Sequence, residues 1–190
     1  KFFKDKGLSL NATLGILGNM LEEAGSKLEP WAGESGVQSV NAGVGLIQWS
    51  NDSKKDFVAA YNAQDTYTWC NMDFQLNYIW DSELSTMNTF KNYPNQTIAE
   101  YTEYFWAEVE KPSAFTKYAP YKTNPVAGGG FEAYRIPITD KLLYINYAKD
   151  ALEATEMATR KTGFERSLNE RVVNASKAIY KNIVQEVYNT

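Results

Sequence analysis

The stretch from Leu8 to Gly25 carries a helical hydrophobic pattern that fixes how it must pack. At about 100° per residue, its apolar residues fall on one continuous arc, as a helix with one buried face requires. The residues on this arc are Leu10, Thr13, Leu14, Ile16, Leu17, Met20 and Leu21. Because Ser9 is a favourable N-cap and Gly25 a favourable terminator, we predict an amphipathic helix between them.

Two adjacent carboxylates, Glu22 and Glu23, end this helix. On the helical wheel Glu23 lies roughly 20° beyond Ile16, at the edge of the apolar arc, whereas Glu22 lies roughly 80° from the nearest apolar residue. We therefore predict that only Glu23 is half-buried. Burial raises the pKa of a carboxyl and makes it a suitable general acid. The alternative is a pair of solvated charges, although the helix dipole disfavours carboxylates at a C-terminus.

The residue types that are missing exclude several kinds of catalysis. The chain has no His and a single Cys, Cys70. Without His, the common zinc hydrolases, Ser-His-Asp hydrolases and Cys-His amidases are excluded. One Cys cannot form an internal disulfide. Carboxylate chemistry remains, and we expect neither a metal nor another cofactor.

Composition indicates a folded protein without affinity for nucleic acid. The 190 residues are 44% hydrophobic, which is enough for one sizeable core. A net charge of −4 disfavours nucleic-acid binding. We find no apolar run long enough for a membrane span and no secretory signal. Because the chain starts at Lys1 without Met, we expect a processed form or a piece of a longer polypeptide.

Two short motifs resemble the phage tail lysozyme family, whose members are peptidoglycan-cleaving domains of virion tail proteins. The first is Gly15–Gly25, which reads GILGNMLEEAG, and the second is Gly45–Ser50, which reads GLIQWS. The resemblance is specific over 8–50, moderate over 74–112 and weak over 113–163. The chain departs from the family pattern at Ala24, where the family usually has Ser.

The resemblance implies roles for individual residues. By position, Glu23 matches the catalytic acid, Asn19 the helix asparagine, and Gln48 the glutamine of the glycan groove, with Gly45 and Trp49 beside it. Glu34 is the best candidate for a second carboxylate, because many glycosidases use a pair of them. The weaker alternatives are Asp52 and Asp56, which more simply belong to the first turn of the next helix.

The resemblance also implies the fold. We expect an α+β, mainly α, lysozyme-like domain with a small β-hairpin near 37–40, beside the catalytic helix. One domain is expected over 1–190, with a catalytic core of about 8–112 and a helical C-terminal extension of about 113–190. The extension either braces the catalytic part or connects it to a larger tail assembly.

The remaining helices follow from periodicity and capping signals. They are predicted over 53–64, 71–84, 97–111, 140–160 and from 167 onward. Capping boxes at Thr97–Glu100 and Ser167–Glu170 open the helices over 97–111 and from 167 onward. Pro112 ends the helix over 97–111. Glu110 is expected in a packed helix, where it can pair with a basic residue across the fold. The residues predicted to face inward are Phe57, Val58, Tyr61, Met72, Leu76, Ile79, Trp80, Leu84, Ile98, Tyr101, Phe105, Val109, Val172, Ile179, Ile183 and Val187.

The expected function is that of a phage-tail muramidase, a lysozyme-type glycoside hydrolase. It would cleave the β-1,4 bond between N-acetylmuramic acid and N-acetylglucosamine to breach the host wall. Its expected partners are bacterial peptidoglycan and other tail proteins or further domains. Two alternatives stay open: a lytic transglycosylase that acts on the same bond, and a non-catalytic glycan-binding tail module. A peptidase is disfavoured by the missing His and the single Cys.

Overall fold

The computed structural model describes residues 1–31, 33, 42–64, 70–110, 166–167 and 169–190, which are mainly helical. The helices are α1 Phe2–Asp5, α2 Leu10–Glu23, α3 Asn51–Asn62, α4 Met72–Ser82, α5 Leu84–Asn92, α6 Ile98–Phe105, α7 169–176 and α8 Ala178–Asn189. A π-helical turn, Trp106–Glu110, continues α6. Within the described residues, β pairing is limited to two isolated bridges, Gly33–Val44 and Val44–Trp49. The predicted hairpin near 37–40 lies outside them.

Helix α2 is the central element of the fold, and both of its predicted ends are confirmed. The Ser9 side chain accepts a hydrogen bond from the Ala12 N–H at 3.2 Å, and Gly25 has a positive φ of 79° just beyond the helix. The prediction that only one face of α2 is buried was wrong, because more of its circumference is covered. Gly15, Gly18 and Asn19 are buried as well, because neighbouring helices cover the side of α2 that carries them.

Two glycines allow these neighbours to approach the α2 backbone closely. A Cβ atom at Gly15 would lie 2.6 Å from Tyr101 Cβ and 2.9 Å from the Thr102 backbone nitrogen in α6. A Cβ atom at Gly18 would lie 2.5 Å from the Arg171 carbonyl oxygen in α7. Helix α2 is therefore packed between α6 and the C-terminal helices with no room for larger side chains.

Helices α3 to α5 differ from the predictions at their starts and on one face. Helix α3 begins at Asn51, two residues before the predicted start, because Ser50 is the N-cap and its N–H donates to Ser53 Oγ. The predicted helix over 71–84 is broken at Glu83 into α4 and α5. Val58 and Leu84 were predicted to face inward and are exposed. Leu84 begins α5, so the helical periodicity of α4 does not determine which way its side chain points.

Helix α6 begins as the sequence predicts. The Thr97 hydroxyl accepts from the Glu100 N–H at 3.2 Å, and Glu100 Oε2 accepts from the Thr97 N–H at 2.8 Å. This reciprocal pair confirms the capping box. The helix continues into the π-helical turn as far as Glu110, and the predicted stop at Lys111-Pro112 lies outside the described residues.

The C-terminal helices brace α2. The Tyr188 hydroxyl lies 2.6 Å from Thr13 Oγ1 and donates to the Leu8 carbonyl at 2.6 Å. The predicted single helix from Ser167 is wrong in two respects: Lys177 breaks it into α7 and α8, and Ser167 is itself helical. Ile183, predicted to face inward, is exposed.

Other predictions in the extension fall outside the described residues. These are the helix over 140–160 and the side chain of Ile179. Among the helices that the structure describes, none combines the length and the apolar character needed to cross a membrane.

An aromatic cluster joins the loop that precedes α3 to α3 and α4. The Trp49 ring stacks on Phe57 with centroids 4.2 Å apart, and Tyr78 packs edge-on against both rings. Phe74 of α4 completes the cluster against Phe57. Such pairs contribute about 0.5–1.5 kcal/mol beyond the apolar area they bury, so this cluster fixes the loop against the helices.

We predict that Gly15→Ala destabilises the protein. Overpacking costs about 1–3 kcal/mol, whereas replacing Gly by Ala inside a helix gains only up to about 1 kcal/mol. The contact at Gly15 includes the backbone of α6, which cannot rotate away, so we expect a net loss in the free energy of unfolding. Urea unfolding measures it, with the exposed Asn88→Ala in α5 as control. A Gly15→Ala variant as stable as the wild type would contradict the close packing.

Candidate active site

A groove with a volume of about 550 Å³ opens beside the start of α3. One side is formed by the turn before α3 and its first residues, and the other by the ends of α4 and the π-helical turn. The residues that line it are 47–53, Asp56, Tyr78, Ser82, Glu83, Val109 and Glu110. The groove thus brings the predicted Gln48 segment together with Glu110, near the end of the helix predicted over 97–111.

The Gln48 segment is a tight turn closed by backbone hydrogen bonds. The Trp49 N–H donates to the Val44 carbonyl at 2.9 Å, and the Val44 N–H donates to the Trp49 carbonyl at 3.1 Å. Between them, Gly45 and Gln48 have positive φ values of 79° and 51°. Gly45 meets this requirement without strain, and the packed ring of Trp49 leaves no room for a Cβ there.

The side chain of Gln48 lies in the groove, and other residues of the same turn hold its orientation. Its Nε2 donates to the Gly45 carbonyl at 3.0 Å, and its Oε1 would lie 2.6 Å from a Cβ at Gly43. Trp49 also lines the groove, but most of its ring is buried against Phe57. Gln48 therefore offers polar groups to a ligand, whereas Trp49 supports the wall behind it.

Gln75, which sequence reasoning did not identify, holds this turn in place. It is fully buried in α4, where its Oε1 accepts from the Leu46 N–H at 2.9 Å and its Nε2 donates to the Pro30 carbonyl at 2.6 Å. One amide thereby satisfies backbone groups from two separate loops. The sequence signal that could have identified Gln75 was a polar residue on the apolar face of a predicted helix.

Glu23 lies at the end of α2, and its side chain is 24% exposed. This confirms the prediction that it is half-buried, but Glu22 is partly buried too, so the prediction that only Glu23 is covered is wrong. The reason is α7, which lies over the end of α2. Asn174 donates to Glu22 Oε2 at 3.0 Å, and Arg171 Nη2 donates to Glu23 Oε1.

Arg171 joins Glu23 to a second carboxyl. Its side chain is only 5% exposed to solvent, and Nη2 also donates to Glu110 Oε2 at 2.9 Å. Nη1 donates to Ser167 Oγ at 2.5 Å, and the guanidinium lies 4.5 Å from the centre of the Trp106 ring. The expected pairing of Glu110 with a basic residue across the fold is confirmed.

Glu110 is buried and lines the groove. Its side chain is 7% exposed, and burial raises its pKa from 4.5 to about 8. Arg171 opposes this rise, whereas the charge of Glu23 and a hydrogen bond with it favour the protonated form. Glu110 is consequently protonated at pH 7. Its Oε1 has no hydrogen-bond partner among the described residues.

Of the other predicted site residues, Asp52 and Asp56 line the groove, whereas Asn19 lies apart from it. Asn19 is fully buried, and its Nδ2 donates to the Gly15 and Thr102 carbonyls at 2.9 and 3.1 Å, which ties α2 to α6. Glu34 lies outside the described residues. Asp52 is exposed and pairs with Lys55 at 2.8 Å, and its hydrogen bond to Lys55 lowers its pKa.

Comparison with models of known protein families identifies the family of this chain. The model of the phage tail lysozyme family matches residues 1–124, which include α2, the Gln48 turn and Glu110. The chain belongs to the phage tail lysozyme family. Membership indicates a peptidoglycan-degrading, lysozyme-like function for a phage-tail-associated protein that acts on the cell wall. No curated protein and no solved structure matches the chain.

In this lysozyme-family chain, Glu23 and Glu110 form one titrating unit. They interact with each other and share Arg171, so their protonation steps belong to the pair. At pH 7 Glu110 holds a proton beside the groove. This is the arrangement that acid catalysis on a glycosidic oxygen requires: an available proton, and a carboxylate close by.

We predict that Glu110→Gln makes the protein more stable than the wild type at pH 8. The folded pKa of Glu110 is about 8 and the ordinary value is 4.5. Between these values the folded state holds a proton that the unfolded state has lost, so wild-type stability falls as pH rises through this window. Gln does not titrate, and its oxygen can still accept from Arg171. The advantage should grow between pH 5 and 8 by at most about 1.4 kcal/mol per pH unit.

Thermal unfolding at several pH values between 5 and 8 measures this effect. Asp81→Asn, on the exposed surface of α4, is the matched control for removing one carboxylate. A stability difference between Glu110→Gln and the wild type that stays constant over this range would contradict the raised pKa.

Proposed function

We propose that this protein is a muramidase that cleaves the β-1,4 bond between N-acetylmuramic acid and N-acetylglucosamine. The observation that carries the proposal is the carboxyl pair Glu23–Glu110 in the family-matched region, with one member lining the same groove as Gln48. Family membership supplies the substrate class, and the pair supplies groups able to break a glycosidic bond.

In the proposed mechanism Glu23 protonates the glycosidic oxygen. In the resting structure Arg171 donates to Glu23, and Glu110 carries the proton of the pair. The two carboxyls meet at the same Arg171 Nη2 atom, and we propose that the proton passes from Glu110 to Glu23 when a glycan enters. Protonation of the oxygen lets the C–O bond break, and the carboxylates left behind stabilise the oxocarbenium-like state.

The resulting sugar cation is then attacked by water, which completes hydrolysis. A carboxylate near the opposite face of the sugar would activate that water. Glu34 remains the proposed residue for this role, on the strength of its position in the sequence between Glu23 and Gln48. The carboxylates left by proton transfer are the alternative.

The glycan is proposed to bind through hydrogen bonds rather than charge. Asp56 and Glu83 line the groove and give it no positive character, in keeping with the net charge of −4. Gln48 lines the groove and offers its amide to the glycan, whereas Gly45 supports the turn by accepting from Gln48 Nε2. Asn19 is assigned a supporting role, since it holds the catalytic helix against α6.

The first test replaces the proposed acid. We expect Glu23→Gln to lower the rate of glycan release from purified peptidoglycan by roughly 10²–10⁴-fold, the usual contribution of a general acid. Glu22→Gln, at the neighbouring position of the same helix end, is the matched control and should retain most activity. Unchanged turnover of a folded Glu23→Gln variant would rule out Glu23 as the acid.

The second test distinguishes a hydrolase from a lytic transglycosylase. Hydrolysis leaves a reducing end on the released fragments, whereas attack by the sugar's own hydroxyl leaves an anhydro end that is lighter by one water. We expect mass spectrometry of the released fragments to show reducing ends. Anhydro ends would assign the protein to the transglycosylases, and wall binding without any released fragment would leave a non-catalytic tail module.

A further inference from the structure

Arg171 reaches the catalytic carboxyls from outside the region that the family match covers. The match ends at residue 124, and Arg171 belongs to α7 of the C-terminal extension. Helix α7 is seated directly on α2: a Cβ at Gly18 would lie 2.5 Å from the Arg171 carbonyl oxygen and 2.6 Å from Ala175 Cβ. The extension therefore places a cation beside the proposed acid through close backbone packing.

Burial of this cation is unfavourable unless it is compensated. Removing a charge from water costs several kcal/mol, which only good partners offset. Here the partners are the Glu23 and Glu110 carboxyls, the Ser167 hydroxyl and the face of Trp106. Nε still has no hydrogen-bond partner among the described residues. A bracing role alone would be served as well by an apolar side chain packed on α2.

The contacts of Arg171 determine how many protons the carboxyl pair holds. The guanidinium opposes protonation of Glu110, whereas burial and the charge of Glu23 favour it. Among the described residues, the charged groups that act on Glu110 are Arg171 from α7 and Glu23 from α2. Since both carboxyls accept from the same Nη2 atom, their relative orientation depends on Arg171 as well.

We propose that Arg171 is a positioning residue of the C-terminal extension, which sets the proton occupancy of the Glu23–Glu110 pair and orients both carboxyls for glycan cleavage. The inference rests on the proposed function of the groove. It gives the extension a part in catalysis in addition to its contacts with α2.

The test is the pH profile of kcat/KM for solubilisation of purified peptidoglycan by the full chain. A nearby cation favours the ionised form of a carboxyl, so its removal strengthens proton binding by the pair. Arg171→Met should therefore move the alkaline limb of the profile upward by about one pH unit. Arg171→Lys keeps the charge but loses the second hydrogen bond of the guanidinium. Its alkaline limb should therefore lie between those of Arg171→Met and the wild type.

Asn174→Ala is the matched control, because Asn174 lies on the same helix and contacts Glu22 rather than the pair. Its profile should coincide with that of the wild type. If neutral residues at 171 prevent folding, Arg171→Lys decides alone: a displaced alkaline limb supports the inference, and an identical limb overturns it.

A folded Arg171→Met variant whose activity is lower by the same factor at every pH would also overturn the inference, because Arg171 would then be only a brace. Failure of the proposed function gives a different result. In that case the wild type itself releases no glycan from peptidoglycan at any pH.

Discussion

The close packing of α2 is the constraint on which the rest of the structure depends. Gly15 lets α6 approach from one side and Gly18 lets α7 approach from another, while the apolar arc faces the core. Hydrogen bonds of Asn19 and Tyr188 then tie α6 and α8, respectively, to α2. Because Glu23 is the last residue of this helix, its position relative to the groove follows from contacts made about one to two turns away.

The sequence was a good guide where the information is local. Ser9 and Thr97 cap their helices as predicted, because an N-cap depends on residues three positions away. The motifs around Glu23 and Gln48 also led to the family that the match supports. The exposed Val58 and Leu84 show the limit of periodicity, which describes one helix and cannot anticipate that α4 ends at Glu83.

The candidate site was harder to predict because its main interactions join distant parts of the chain. The separation in sequence is 148 residues between Glu23 and Arg171, and 61 between Glu110 and Arg171. A helical wheel of α2 alone therefore placed Glu22 in solvent, whereas α7 covers it. Gln75 was missed for the same reason, since its partners lie in two loops that only the folded chain brings together.

The π-helical turn Trp106–Glu110 determines which way its last residue faces. A π-helix bonds each residue to the fifth one along instead of the fourth, so it winds more slowly than an α-helix. Over five residues the accumulated difference is roughly a quarter turn. If α6 had continued as an α-helix to residue 110, the Glu110 side chain would point in a different direction around the helix axis, away from Arg171. A local change in winding thus aims this carboxyl at Arg171.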